Sequence, residues 1–335
     1  MRTIVILVFV LVAIAAGFAA YIGVGAPIAN ISAETAPRPA AAPRDWREVF
    51  AHPTALKVTA FVTGWVEAGP EILIDASNPR TPAAYRRKIW VPSVAYLVEH
   101  PTQGRLLFDT GLKAGDCAYG THPLYWVPCR NAPGSDAVSQ LAKLGLKPSD
   151  LRYVVISHFH GDHVSGLAAL LKGGARQLVT SRPEIDGVRS AFRIFAGYES
   201  SMLKQTFDAV LVDNALVPAP IVGRAADLFG DGSVWLIPVP GHTAGQLAAI
   251  INAEGGPFLL TFDASHLKAG FDLGVIPGAY VDRRAAEQSL ARLRAFAAAF
   301  PQIKVIYGHE PSQWEGKETV RLAGQNPAEA PTASR

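Results

Sequence analysis

A chain of 335 residues with 49% hydrophobic and 18% charged side chains holds enough apolar material for one large domain or two small ones, which excludes disorder by composition. The formal net charge is only +3, and lysine and arginine are scattered instead of gathered into a stripe, so nothing favours nucleic acid as a partner.

The chain opens with a segment that stands apart. Residues 4–31 carry no charged side chain and Ile4 to Tyr21 is almost wholly apolar, so residues 1–32 read as an export signal or a membrane anchor. The run approaches the ~20 residues that span a bilayer and exceeds the ~7 to 15 of a cleaved signal, which favours an anchor. The domain is therefore expected outside the cytoplasm: periplasmic, held at a membrane facing the periplasm, or secreted. Membrane contact is expected only through this segment. Pro37, Pro39, Pro43 and several alanines mark 33–44 as an extended linker, leaving a folded domain over 45–315 and a flexible tail over 316–335.

Lys57 to Trp65 alternates and is rich in β-branched and aromatic residues, which predicts a strand. Val94 to His100 and Arg105 to Asp109 predict a hairpin across Pro101-Thr102-Gln103-Gly104, closed by Asp109-Thr110-Gly111. The long connection from Lys113 to Asn131 carries Tyr119, Tyr125, Trp126, Cys117 and Cys129, and is either a cover for a substrate entrance or a surface insertion. Export would permit the two cysteines to pair; two free thiols are the alternative. Ser135-Asp136 caps a helix through Val138, Leu141 and Leu144 that ends at Gly145.

The β-rich run Leu151 to Ser157 then empties into His158-Phe159-His160-Gly161-Asp162-His163, ahead of a helical stretch from Gly166 to Leu171. Neutral imidazole and carboxylate are donors that borderline divalent ions prefer, and gathering four of them locally lowers the cost of ordering a site. Such a set arises by chance at roughly one starting position in a million. Gln177 to Thr180 predicts a strand, and Ser181-Arg182-Pro183-Glu184 has the cap, first-turn proline and acidic residue of a helix start. Phe192, Phe195, Tyr198, Met202 and Phe207 belong to an apolar pocket or to the core.

Ser233 to Pro238 is a further strand, leading into Pro240-Gly241-His242-Thr243-Ala244-Gly245-Gln246. Gln246 to Asn252 and Pro257 to Phe262 predict a hairpin ending at Asp263, a carboxylate able to bridge two cations as an imidazole cannot. Asp282 caps a helix over Arg283 to Phe300, with Ala286, Leu290, Leu293, Ala297 and Phe300 on one face. Lys304 to Tyr307 is a last strand and delivers Gly308-His309.

The His-x-His-x-Asp-His segment, the later Pro-Gly-His-Thr, the Asp263-Ala264-Ser265 segment and the terminal Gly-His resemble, in order, the signature segments of the metallo-β-lactamase superfamily. That resemblance implies an α/β fold, an αββα sandwich of two mixed β-sheets flanked by helices. It also implies two Zn2+ per chain: His158, His160 and His242 on one, Asp162, His163 and His309 on the other, Asp263 between them, and Asp109 close behind. The expected chemistry is hydrolysis by a metal-bridging hydroxide, with no serine nucleophile, so Ser157 and Ser165 are read as structural. His160, where an oxygen-reducing di-iron branch tends to have glutamate, favours hydrolysis.

Within the superfamily, the run from Val91 to Gly111 together with the metal segments is most similar to N-acyl homoserine lactone lactonases, implying an acyl lactone as small-molecule substrate. One departure stands at His266, where those lactonases commonly place a tyrosine near the lactone carbonyl. An imidazole there can donate the same hydrogen bond, so Asp162, Asp263 and His266 are the expected catalytic residues. The acyl chain is expected among the aromatic groups from Phe192 to Phe207 and around Phe271, Leu273 and Ile276. Alternatives on the same scaffold are thioester, phosphotriester or β-lactam hydrolysis, or a noncatalytic tethered binding protein.

Overall fold

The computed structural model describes residues 2–21, 31–38, 40–115, 127–190, 196–198 and 206–324. One sheet takes β1 (Ile31–Thr35), β2 (Lys57–Ala68), β3 (Ile89–His100), β4 (Gly104–Phe108), β5 (Cys129–Arg130), β6 (Leu151–Val155), β7 (Gln177–Thr180) and β8 (Phe207–Leu211). A second sheet follows from β9 (Val217–Ala219), β10 (Gly223–Asp227), β11 (Val234–Pro238), β12 (Leu247–Ile251), β13 (Phe258–Leu260) and β14 (Lys304–Ile306), and the chain returns to the first sheet through β15 (Thr319–Ala323). The orders are β1-β8-β7-β6-β4-β3-β2-β15, with β5 beside β2, and β14-β13-β12-β11-β10-β9. Both sheets are mixed: β4, β6, β7 and β8 run parallel, as do β13 and β14, while β2 and β3 or β11 and β12 run antiparallel.

Side chains alternate across a strand, so a sheet covered on both faces must be apolar on both. In β3, Val94, Tyr96 and Val98 enter a core with Leu236, Ala249, Ile251 and Leu260 of the second sheet. Ala95 and Leu97 of the same strand point the other way, into a core with Leu141, Leu167 and Leu170 of the overlying helices Ala137–Lys143 and Leu167–Lys172. The outer face of the second sheet, Trp235, Ile237, Ala248 and Ile250, is covered by Leu290, Leu293 and Phe296 of the helix Arg283–Ala299 and by Trp46. Layers of helix, sheet, sheet and helix result, as the resemblance implied. The expected caps form: Asp282 accepts from Ala285 N at 2.9 Å, Asp136 from Ser139 N at 3.0 Å and Ser181 Oγ from Glu184 N at 3.3 Å.

Two expectations are corrected. The proline- and alanine-rich linker begins with β1, which pairs parallel to β8 and is tied by ion pairing of Glu34 with Arg182. Composition sets the stiffness of a linker, but the unpaired N–H and C=O groups on the edge of β8 offer a partner that composition does not reveal. The tail is likewise ordered at β15, which pairs antiparallel with β2. There Val320 and Leu322 pack on the intersheet core while Arg321 faces Glu99 at 3.6 Å, a period-two pattern hidden in polar surroundings.

The leader forms a helix over Arg2–Tyr21, whose side chains are described at positions 6 and 8–19; Ile6, Phe9, Val12 and Ile14 among them are exposed. Among the described residues no helix is long and apolar enough to cross a membrane. Cys129 is disulfide-bonded, and Cys117 lies outside the described residues, as do Tyr119, Tyr125 and Trp126.

Candidate metal centre

The carboxyl ends of β4, β6, β11, β13 and β14 open on one edge of the sandwich, the place where open α/β sheets form their sites. β4 ends at Asp109, β6 feeds Ser157 to His163, β11 feeds His242, β13 feeds Asp263 and β14 feeds His309. All seven expected ligands meet there: His158, His160, His242 and Asp263 form one group, and Asp162, His163 and His309 a second.

Asp263 lies between the groups and turns one oxygen to each. Its Oδ2 is 3.4 Å from His158 Nε2 and 3.3 Å from His242 Nε2, and its Oδ1 is 3.2 Å from both His163 Nε2 and His309 Nε2. Asp162 Oδ2 is 3.4 Å from His309 Nε2. Ligands about 2.0–2.1 Å from a shared ion stand roughly 3.3 Å from one another in a tetrahedron, so these separations suit a common cation.

The outer hydrogen bonds decide which ring nitrogen faces inward. His242 Nδ1 donates to the Ala279 carbonyl at 2.9 Å, His309 Nδ1 to the Pro92 carbonyl at 2.7 Å and His160 Nε2 to the Ala196 carbonyl at 2.9 Å. His163 Nδ1 donates to Asp109 Oδ2 at 2.7 Å. Ser157 Oγ donates to the same carboxylate at 2.8 Å and so accepts from His158 Nδ1 at 3.0 Å. Carbonyls and carboxylates only accept, so each neutral ring turns a bare nitrogen to the centre, the arrangement that fixes the tautomer of metal-ligating histidine. His242 Nε2 and His160 Nδ1 then stand 2.9 Å apart with no proton to share. His158 Nε2 and Asp263 Oδ1 are buried without a hydrogen-bond partner among the described residues. Lone pairs crowded in this way fit divalent cations.

Protonation follows the same logic. Burial, helped by His163, pushes His158 well below the usual imidazole range, and burial with His242 brings His160 down to about 3. Burial acts against the cation at His163 too, but Asp263, Asp162 and Asp109 outweigh it and hold that ring well above its ordinary value. Burial also opposes the anion at Asp263, yet His163 and His309 keep it well below the carboxylate range. An anionic carboxylate and a neutral imidazole are the forms that bind metal, so a cation entering the centre would take the place of the proton that the three carboxylates otherwise favour on His163.

The support around these ligands was only partly legible. Asp109, expected close behind the centre, sits at φ 53°, and Phe262, just before Asp263, at φ 44°. Left-handed backbone at residues other than glycine costs of order 1–3 kcal/mol each and concentrates at functional sites. Gly308 is required because a Cβ there would come within 2.6 Å of Asp263 Oδ1. Gly197, at φ +77°, lets the backbone approach His160, whose Nε2 a Cβ would meet at 2.9 Å. Gln246, its amide oriented to suit both neighbours, accepts from Asp263 N at 2.8 Å and Ala264 N at 2.7 Å. Ser165 Oγ donates to the Gly111 carbonyl, as Ser157 Oγ does to Asp109.

Glu184 was missed. Read from sequence as an acidic residue of a helix start, it is wholly buried and accepts from Phe159 N at 3.2 Å, Gly245 N at 2.9 Å, Tyr198 Oη at 3.2 Å and Thr243 Oγ1. It joins the two ligand loops. The only signal in the sequence was its spacing from Ser181.

The proposed acyl pocket is not assembled by the described residues. Phe271 and Ile276 pack in the core under the helix Arg283–Ala299, and Phe207 packs in the core of the first sheet. Tyr198 does approach the centre, its ring 6.0 Å from that of His160, whereas Phe192, Phe195 and Met202 lie outside the described residues. His266 stands at the centre, its Nε2 3.0 Å from Asp263 Oδ2 and its ring 5.1 Å from His242 and 5.2 Å from His309.

Comparison with known proteins agrees with this geometry. The family profile of the metallo-beta-lactamase superfamily matches residues 89–309. N-acyl homoserine lactonase AttM of Azorhizobium caulinodans is 27% identical over 232 residues, 67% of this chain and 84% of that one. An N-acyl homoserine lactonase of a Bacillus species is 27% identical over 258 residues, 75% of this chain and 94% of that one. Among solved structures, an AiiA variant of B. thuringiensis with N-decanoyl-L-homoserine bound superposes with a TM-score of 0.61 at 21% identity, covering 78% of this chain and 96% of that one. An N-acyl homoserine lactone hydrolase, solved with N-hexanoyl-L-homoserine at its catalytic metal centre, gives the same score, identity and coverage.

Proposed function

The chain belongs to the metallo-β-lactamase superfamily of metal-dependent hydrolases, and on that premise we propose that it opens the ring of N-acyl homoserine lactones with two bound zinc ions. The observation that carries this reading is Asp263, which presents one oxygen to each of two imidazole groups. The curated relatives named as N-acyl homoserine lactonases support the lactone as substrate.

His158, His160, His242 and Asp263 would hold one ion, and Asp162, His163, His309 and Asp263 the other. Ions so placed would lower the pKa of a shared water to about 7 and polarise the lactone carbonyl. Asp109 and the Ala279, Pro92 and Ala196 carbonyls orient the imidazoles, so little reorganisation accompanies the reaction. Asp162, whose side chain is a tenth exposed against 4% for Asp263, is the carboxylate we assign to accept a proton from the attacking water and return it to the departing ring oxygen. Burial of the histidines keeps bulk water from competing for these contacts.

Metal analysis of the purified protein, run with a panel of acyl lactones, a thioester and a phosphotriester, tests the reading. About two zinc ions per chain with preferred lactone turnover is the expected result. Protein without bound metal, or turnover confined to the thioester or phosphotriester, would overturn it.

A further inference from the structure

The geometry points to His266 as an additional protein ligand of the centre, holding a cation together with Asp263 and His309. This rests on the reading of the centre as a metal site, and it replaces the expected role of His266 as a hydrogen-bond donor to the lactone carbonyl.

His266 Nδ1 is 3.1 Å from the Leu73 carbonyl, which only accepts, so Nδ1 carries the proton and Nε2 of the neutral ring is a bare lone pair. That lone pair is aimed into the centre. It lies 3.0 Å from Asp263 Oδ2, another acceptor, and it is buried with no hydrogen-bond partner among the described residues. Two acceptors in contact inside a protein repel unless a positive centre sits beside both. The ring is 1% exposed, so bulk water does not supply that charge.

His266 also repeats the pattern of the ligands assigned above. His242 and His309 each bond a backbone carbonyl through Nδ1 and turn Nε2 inward, and His266 does the same from between them. Donor atoms of Asp263, His266 and His309 lie within 4.8 Å of one another, as those of the two main groups do. A donor to substrate would need a proton on Nε2, hence either an imidazolium or loss of the bond to Leu73. His266 Nε2 meets Oδ2, the oxygen that Asp263 turns toward His158 and His242, while its donor group takes in His309, so His266 stands at the seam between the two groups.

The test is chelator competition for zinc on the metal-free full chain and its His266→Ala and His266→Gln variants, with absorption of the cobalt-substituted forms as a second readout. Melting of the metal-free proteins controls for folding. Both variants are expected to bind one zinc as the parent does and the second on the order of 10–100-fold more weakly, with an altered cobalt spectrum. Glutamine can still donate a hydrogen bond, so His266→Gln with both zinc affinities and the cobalt spectrum unchanged would overturn the ligand role while leaving the lactonase reading intact. A parent chain that binds no metal would overturn both.

Discussion

At the scale of the residue, Glu184 shows how much of a metal site lies beyond its ligands. Its carboxylate ties the Phe159 and Gly245 backbones to one point, so the loop carrying His158 to His163 cannot move independently of the loop carrying His242. Glutamine at this position keeps the shape but offers one accepting oxygen in place of two. Glu184→Gln is expected to cost about 1–3 kcal/mol in denaturant unfolding, because a buried donor loses its partner. Metal affinity should fall with it. A variant matching the parent in both measurements would show that the two loops are held by other means. The ligands were legible because four of them are neighbours in sequence and the rest follow strand ends; Glu184 was not, because a carboxylate three residues past a serine looks the same whether it faces solvent or is buried.

At the scale of the element, the helix Arg283–Ala299 is fixed at its start by Arg283 Nη2, which donates to Asp75 Oδ2 at 2.7 Å across the fold. Burial works against the Asp75 anion, but hydrogen bonds from Ser77 and Arg283 prevail and hold it below its ordinary 3.8. A depressed folded-state value means that Asp75 contributes stability above pH ~3.8 and that the contribution is lost as pH falls through the lower folded value. Asp75→Asn is therefore expected to melt below the parent at neutral pH, with the gap narrowing in acid below that point. A gap that persists or widens in acid would assign the effect to packing. Helices and central strands were legible from caps and alternation, whereas β1 and β15 depend on which edges stand open, which no local pattern encodes.

At the scale of the whole molecule, we propose that the leader helix tethers the domain to a membrane, supported by its exposed Ile6, Phe9, Val12 and Ile14. The full chain is expected to sediment with vesicles, and a chain beginning at Ile31, which keeps β1, to remain in the supernatant with its turnover intact. Equal partitioning of the two would remove the tether. The layered sandwich was legible through the resemblance of the metal segments to a known superfamily, and its physical reason, apolar strands covered on both faces, became visible only in the structure. The acyl pocket expected from composition did not assemble among the described residues, since aromatic residues of similar type fill the core.

Each group of ligands draws on both sheets: His158 and His160 leave β6 of the first while His242 leaves β11 of the second, and His163 leaves β6 while His309 leaves β14. Ions bound there would therefore act as rivets across the seam between the two halves. Chelation is expected to lower the melting temperature and to speed amide exchange first at residues 157–163 and 241–246, with both effects reversed on adding zinc back. The local metal supply would then govern how long each copy survives as well as how fast it turns over.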